Sequence, residues 1–307
     1  MLSAEEIHAL GLKEVERIRP LLMNAGRHAG FTGPVGEMQK WIAANPRNFP
    51  FTSGEQVLEY LRALHARIVP QLPQLCTRFP KAPFEIQLTE PELAATASAQ
   101  WNPPSDDGTR PGIFKIPVLD PRNRSVFGLA ALLAHEGMPG HHFDGGLRLE
   151  NPVPEFRRRM WVNAFGEGWG LYAESLGDRL GIYDDPLQLM GRFYFELWRA
   201  CRLVIDTGLH SKDWTRFQAI DYFVNECGAS QGEATVEVLR YMVWPGQALG
   251  YKIGELTIRD IRTKAEQRLG VRFDIRAFHD AVLAEGHLPM SMLRTRMDAW
   301  IEAQPAN

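Results

Sequence analysis

Apolar residues recur at three- and four-residue intervals through most of the chain, which predicts a mainly helical protein. Val57, Leu58, Tyr60, Leu61, Leu64 and Ile68 form one such stripe. Thr52-Ser53-Gly54-Glu55 supplies its capping signal and Pro70 its stop. Further helices are expected over roughly 3–25, 125–137, 154–181, 186–210, 213–227, 231–243, 246–269 and 274–284, with ends good to about ±2–4 residues. The pattern changes between 82 and 119. There Phe84-Glu85-Ile86-Gln87-Leu88 alternates as a strand does, and Gly112-Ile113-Phe114-Lys115-Ile116-Pro117-Val118 is a partner for it. Asn102-Pro103-Pro104-Ser105-Asp106-Asp107-Gly108 reads as loop. A small sheet of this kind would offer an extended substrate backbone an edge to pair with.

The helical run from Ser125 to Ala134 delivers His135 followed directly by Glu136, then Gly137-Met138-Pro139-Gly140-His141-His142. Two histidines one turn apart on a helix ligate zinc in the HExxH arrangement, and the glutamate beside the first serves as general base. In this chain the second histidine comes late. A regular helix advances about 100° per residue, so His141 would point away from His135. His142 would be aligned but about 10 Å further along. Proline cannot supply the internal hydrogen bond and glycine tolerates unusual dihedrals, so a break at Pro139-Gly140 would return a histidine to the metal. His141 needs the smaller excursion. His142 is then expected beside the ligands or in contact with substrate.

A zinc site needs a third protein ligand and an open position. Glu167 and Glu174, seven apart in Phe165-Gly166-Glu167-Gly168-Trp169-Gly170-Leu171-Tyr172-Ala173-Glu174, share a helix face. Glu167 is the expected ligand, and Glu174 is expected to orient a ligand histidine. Glycines at 166, 168 and 170 disfavour helix by up to ~1 kcal/mol each, which points to close approach of other groups rather than to propensity. The bland alternatives are a solvated helix end for the His-Glu pair and plain surface for either glutamate. The concentration of His, Glu and two further His within eight residues argues against them.

Composition narrows the remaining classes. A net charge of −3 and the lack of a basic stripe exclude a nucleic-acid partner. Cys76, Cys201 and Cys227 are odd in number and widely spaced, so neither a disulfide framework nor a thiolate metal site is expected. No stretch reaches the ~20 apolar residues of a membrane helix, and Met1-Leu2-Ser3-Ala4-Glu5-Glu6 has no secretory character. A cytoplasmic protein with no membrane partner is therefore expected.

At the two motifs the chain resembles DUF885, a bacterial family whose hallmark is an HExxPGHH segment followed by an EGWxxYxE helix. The resemblance runs from about residue 10 to 300 and takes in Arg202-Leu203-Val204-Ile205-Asp206-Thr207-Gly208-Leu209-His210 and the segment Pro245 to Gly254. Such proteins are distantly similar to zinc metallopeptidases of the gluzincin type, helical carboxypeptidases and oligopeptidases among them. The resemblance implies a mainly α, metallopeptidase-like fold with a deep cleft, to which the strand pattern adds a small β-sheet beside the active-site helix. It implies His135, His141 and Glu167 as ligands to one Zn2+ and Glu136 as base. Many members are longer, and residues 1–307 resemble their C-terminal catalytic portion as a single catalytic domain.

Outside the motifs, Arg199, Arg202, Asp206 and His210 line one face of a helix. A solvated face is one reading; a cleft wall is the other, in which Arg202 grips a substrate carboxylate, with His210 and Arg240 also contacting substrate and Asp206 supporting the site. Tyr251 is the expected oxyanion donor, with Arg240 and Tyr241 as rivals and a merely packed tyrosine as the alternative. His279 and His287 have no ligand spacing and are expected to be structural.

Zinc would acidify its water and polarise a carbonyl, while Glu136 takes the proton and passes it to the leaving nitrogen. The expected substrate is a small peptide or amino-acid-derived amide. Another divalent metal, a non-peptidase amide hydrolase or eliminating enzyme of secondary metabolism, and a non-catalytic metal-binding protein are the rivals. Self-association as a homodimer stays open.

Overall fold

Capping chemistry defines the first long helix: Ser3 and Glu6 form a reciprocal capping box, and Gly30, with φ 94°, closes the C-terminus. The computed structural model describes residues 2–107 and 109–304, so Gly108, the last residue of the expected loop, lies outside the described residues. The helices are α1 (Ala4–Ala29), α2 (Met38–Ala44), α3 (Gly54–Ile68), α4 (Leu129–Glu136), α5 (His141–Glu150), α6 (Glu155–Arg159) and α7 (Asn163–Glu174). They continue with α8 (Pro186–Ser211), α9 (Arg216–Tyr222), α10 (Gln231–Val243), α11 (Gly250–Leu269), α12 (Ile275–Leu283) and α13 (Met290–Glu302). The protein is mainly α with a small sheet, as its periodicity predicts.

The chain forms two compact units. The first comprises residues 1–50, 124–131 and 183–252. Its core lies between α1 and α8, where Ile18, Leu22, Leu197 and Ile205 are buried. Bare Gly11 admits α8, because a Cβ there would sit 2.8 Å from Leu203 Cβ. Lys252 is wholly buried in this unit and is held by Glu14 at 3.1 Å and Glu196 at 2.9 Å. Three positive and two negative groups meet there, since Arg17 and Arg192 also bond these glutamates.

The second unit comprises residues 51–123, 132–182 and 253–307. Its sheet has the order β1-β3-β2, from β1 (Phe84–Leu88), β2 (Gln100–Asn102) and β3 (Gly112–Ile116). β1 runs parallel to β3 with Phe84 opposite Gly112 and Leu88 opposite Ile116. β2 is antiparallel to β3, with Trp101 opposite Phe114. Alternation along β3 buries Phe114 and Ile116. The expected strand therefore stops at Ile116, before Pro117, and β2 was not anticipated because three residues carry too short a pattern.

Two expected helices are interrupted. The stretch 154–181 splits into α6 and α7, and 213–227 ends in a π-turn over Phe223–Cys227. The three cysteines are free and buried.

Candidate metal centre

The centre is assembled entirely from the second unit. His135 and Glu136 close α4, and the helix stops there. The Met138–Pro139 peptide is cis, and α5 begins anew at His141. Gly140 is where the two helices nearly touch. A Cβ at this position would lie 2.0 Å from the His135 carbonyl oxygen and 2.3 Å from that of Ala134, so no other residue fits. The break is pinned from outside, because Trp169 Nε1 on α7 donates to the Pro139 carbonyl at 2.8 Å.

This geometry returns His141 to His135. Their ring centroids are 4.6 Å apart, nearly perpendicular, and both Nε2 atoms lie 3.4 Å from the same Glu167 oxygen, Oε2. Ligand atoms of His135, Glu136 and His141 also lie within 4.8 Å of one another. Both glutamates are thus within reach of a cation. Glu167 is the better third ligand, because one of its oxygens faces both imidazoles.

Glu174, one helical repeat beyond Glu167 on α7, accepts a 2.8 Å hydrogen bond from His135 Nδ1. With that proton committed, His135 Nε2 presents a lone pair to the Glu167 carboxylate, and two acceptors face each other at 3.4 Å. A proton or a metal cation between them removes the repulsion. Burial opposes protonation of His135, but its bonds to Glu167 and Glu174 win and raise its pKa to about 9. Burial likewise opposes ionisation of Glu167, yet the two imidazoles hold its carboxyl well below the usual range. These residues fit a divalent metal in ligand type, convergence and support of the first histidine.

The glycines of α7 explain its unusual composition. A Cβ on Gly170 would meet the His135 ring at 2.7 Å, and one on Gly168 would meet Gly254 of α11 at 2.5 Å. Bare Cα atoms are what let α7 approach both the ligand and a neighbouring helix.

His142 departs from expectation. Its side chain is wholly buried, its ring tilted against that of Phe84 with centroids 4.8 Å apart, with Nε2 donating to the Ala82 carbonyl at 3.2 Å and Nδ1 against Gly112. Burial lowers its pKa to about 4, so it is neutral and packs α5 under the sheet instead of contacting substrate. His141→Ala is expected to abolish stoichiometric metal binding, whereas His142→Ala should keep the metal and lose roughly 2–5 kcal/mol of stability. Metal analysis beside thermal denaturation distinguishes the two; equal, small losses of metal would refute the assignment.

Tyr251, Arg202, Asp206, His210 and Arg240 belong to the first unit. Arg202 is buried, bonded to Tyr241 Oη at 2.9 Å and Glu237 at 2.8 Å, with its guanidinium 4.5 Å from the Tyr251 ring centroid. His210 Nε2 donates to the Tyr241 carbonyl at 3.1 Å, Asp206 accepts from the Gly246 amide at 3.0 Å, and Arg240 bonds Gln247 at 3.1 Å. Of the two readings of this face of α8, the solvated one does not hold: Arg202 and Asp206 are buried, and Arg202, Asp206 and His210 are hydrogen-bonded within the unit.

His279 is structural, as expected. Its Nδ1 donates to the Leu75 carbonyl, its Nε2 accepts from Tyr172 Oη, and burial lowers its pKa to about 3. Sequence reasoning passed over Trp101, Trp161 and Asp144. The two indoles lie 6.3 Å and 5.8 Å from the His141 ring, and His141 Nδ1 has no hydrogen-bond partner among the described residues. Packing between the indoles orients this histidine. The available signal was Asp144 three residues after His141, on the same face of α5.

Comparison with known proteins adds a family and a fold. No curated protein matches the chain. A crystal structure of a "putative lipoprotein" from Colwellia psychrerythraea is similar with TM-score 0.95 and 38% identity, covering 99% of this chain and 53% of that one. A "putative lipoprotein of unknown function" from Shewanella oneidensis shares the fold, with TM-score 0.81, 21% identity, and coverage of 96% and 56%. The chain spans about half the length of these two structures.

The first of them overturns the cytoplasmic location expected from sequence, since a protein alike over nearly the whole chain is described as a lipoprotein. Among the described residues no helix is long and apolar enough to cross a membrane, and attachment through a lipid is a property that hydropathy does not address. The family model described as bacterial protein of unknown function, DUF885, matches residues 1–297, and the chain belongs to that family.

Proposed function

We propose that the protein is a metal-dependent hydrolase that cleaves an amide or peptide bond in a small peptide or amino-acid conjugate. One observation carries this reading: the Nε2 atoms of His135 and His141 converge on a single Glu167 oxygen at 3.4 Å, with Glu136 beside them. His135, His141 and Glu167 would hold zinc, or another divalent ion suited to imidazole and carboxylate. When bound, the ion would supply Lewis acidity toward a carbonyl and acidify water.

Glu136 follows His135 directly, so its carboxylate is delivered to the centre by the same helix end. It would take a proton from the attacking water and hand it to the leaving nitrogen. Glu174 keeps His135 in the tautomer whose Nε2 faces Glu167. Hydrolysis at this centre also has a backbone-recognition element close by, because β2 is an edge strand and its Trp101 lies beside His141.

Assay of the zinc-loaded protein against a dipeptide library tests the reading. Turnover that disappears with a chelator and returns with zinc is expected; silence at full zinc occupancy would overturn it. Glu174→Gln should weaken zinc binding about 10–100-fold, read by competition with a chromogenic chelator. Unchanged affinity would remove Glu174 from the supporting role.

A further inference from the structure

Trp161 is a large apolar side chain left 45% exposed, yet its surroundings are built to hold it still. It lies just before α7, in a segment without regular structure. On one side, the Met160 carbonyl accepts a 2.9 Å bond from Arg148 Nη1, which also bonds the Arg158 carbonyl at 3.0 Å. On the other, the Val162 amide donates to His287 Nδ1 at 3.3 Å. His287 in turn donates from Nε2 to Asp144 at 2.6 Å and is wholly buried, stacked on Phe165 at 4.8 Å. The indole itself rests against His287, with centroids 4.9 Å apart, and on the bare Cα of Gly166, where a Cβ would lie 2.4 Å from the ring.

Both anchors, Asp144 and Arg148, stand on α5, three and seven residues after His141. The helix that delivers a candidate metal ligand therefore also fixes an exposed indole 5.8 Å from that ligand's ring. A rigid aromatic surface beside a catalytic centre, fixed by partly buried hydrogen bonds backed by the buried His287–Asp144 pair and left partly open to water, has the character of a specificity wall. An exposed indole in this setting gains most from a ring that covers it, through buried apolar area and the quadrupolar attraction between rings.

Resting on the metal-hydrolase reading above, we propose that Trp161 selects substrates carrying an aromatic side chain next to the scissile amide. Asp144, His287 and Arg148 are positioning residues for that wall. His287, which has no ligand-like spacing, thereby acquires a role through Trp161 and the Val162 amide.

The test compares wild type, Trp161→Ala and Trp161→Phe, each loaded with zinc, in two measurements. In the first, calorimetric titration compares benzohydroxamate with acetohydroxamate, two metal-chelating probes that differ in an aromatic ring. Wild type should prefer the aromatic probe roughly 10–100-fold, Trp161→Ala should lose that preference, and Trp161→Phe should keep most of it. In the second, kcat/KM on phenylalanine-containing dipeptides should fall roughly 10–100-fold in Trp161→Ala, chiefly through KM, with alanine-containing dipeptides little affected. Phe217→Ala, which trims an exposed ring on α9, should match wild type in both.

Equal probe affinities in wild type, failure of both probes to bind, or equal losses on all substrates in Trp161→Ala would overturn the inference. The hydrolase reading fails separately. Absence of turnover with the aromatic probe preference intact would sink that reading and leave the wall standing as a binding site, while turnover without the preference would do the reverse.

Discussion

On the proposed metal-hydrolase reading, replacing Glu136 by glutamine in the zinc-loaded protein is expected to lower kcat by about 10²–10⁴-fold without loss of the metal. The substitution is nearly isosteric and removes the basic oxygen, so the proton of the attacking water has no acceptor at the right place. The matching change at Glu167 should behave differently. Its Oε2 faces both imidazoles at 3.4 Å, and Glu167→Gln removes the negative charge that a cation between them requires. Metal content measured on both variants after dialysis separates the roles: retained in the first, lost in the second. The opposite pattern would exchange the assignments, making Glu136 the ligand and Glu167 the base, a meaningful test because each glutamate lies close to both His135 and His141.

The second large effect is expected at Gly140. Alanine there would place its Cβ 2.0 Å from the His135 carbonyl oxygen and 2.3 Å from that of Ala134, and both obstacles are backbone. A flexible side chain could swing aside; a helix terminus cannot without displacing the ligand it carries. Gly140→Ala should therefore cost upwards of about 4 kcal/mol, in the range reserved for severe core disruptions, and should abolish metal binding in any folded fraction. Gly232→Ala is the control, because a Cβ at that α10 position meets nothing within 4 Å. Its stability should stay level or rise by about 0.5–1 kcal/mol through helix propensity. Thermal denaturation of the two variants side by side gives the comparison. A Gly140→Ala protein with unchanged midpoint and metal content would show that the helices need not approach so closely.

The comparison of these glycines shows what kind of information a sequence holds. The apolar stripe from Val57 to Ile68, the capping signal at Ser53, and the strand alternation at Phe84–Leu88 are local, and α3 and β1 appear in the structure where these patterns place them. Short elements escaped, among them α2 and β2, since a few residues do not establish a period and tertiary packing decides their state, and the 13-residue α13 was missed as well. The π-turn at Phe223–Cys227 was also invisible, because it differs from an α-helix by hydrogen-bond partner rather than by residue type.

At the centre the division is sharper. A straight helix cannot bring His141 or His142 to His135, so the sequence alone required a break at Pro139-Gly140, and geometry along a single segment was enough to say so. The seven-residue spacing of Glu167 and Glu174 likewise put both carboxylates on one face without reference to any other element. Tertiary structure decided the rest. Only the meeting of α4, α5 and α7 sets Glu167 against both imidazoles and Glu174 against His135 Nδ1. Only the sheet, with bare Gly112 and the Ala82 carbonyl, draws His142 into the core. Only the anchors on α5, reached directly by Arg148 and through His287 by Asp144, hold Trp161 beside His141. Periodicity and spacing describe directions within one element, whereas these contacts depend on distances between elements far apart in the chain, which no local pattern encodes.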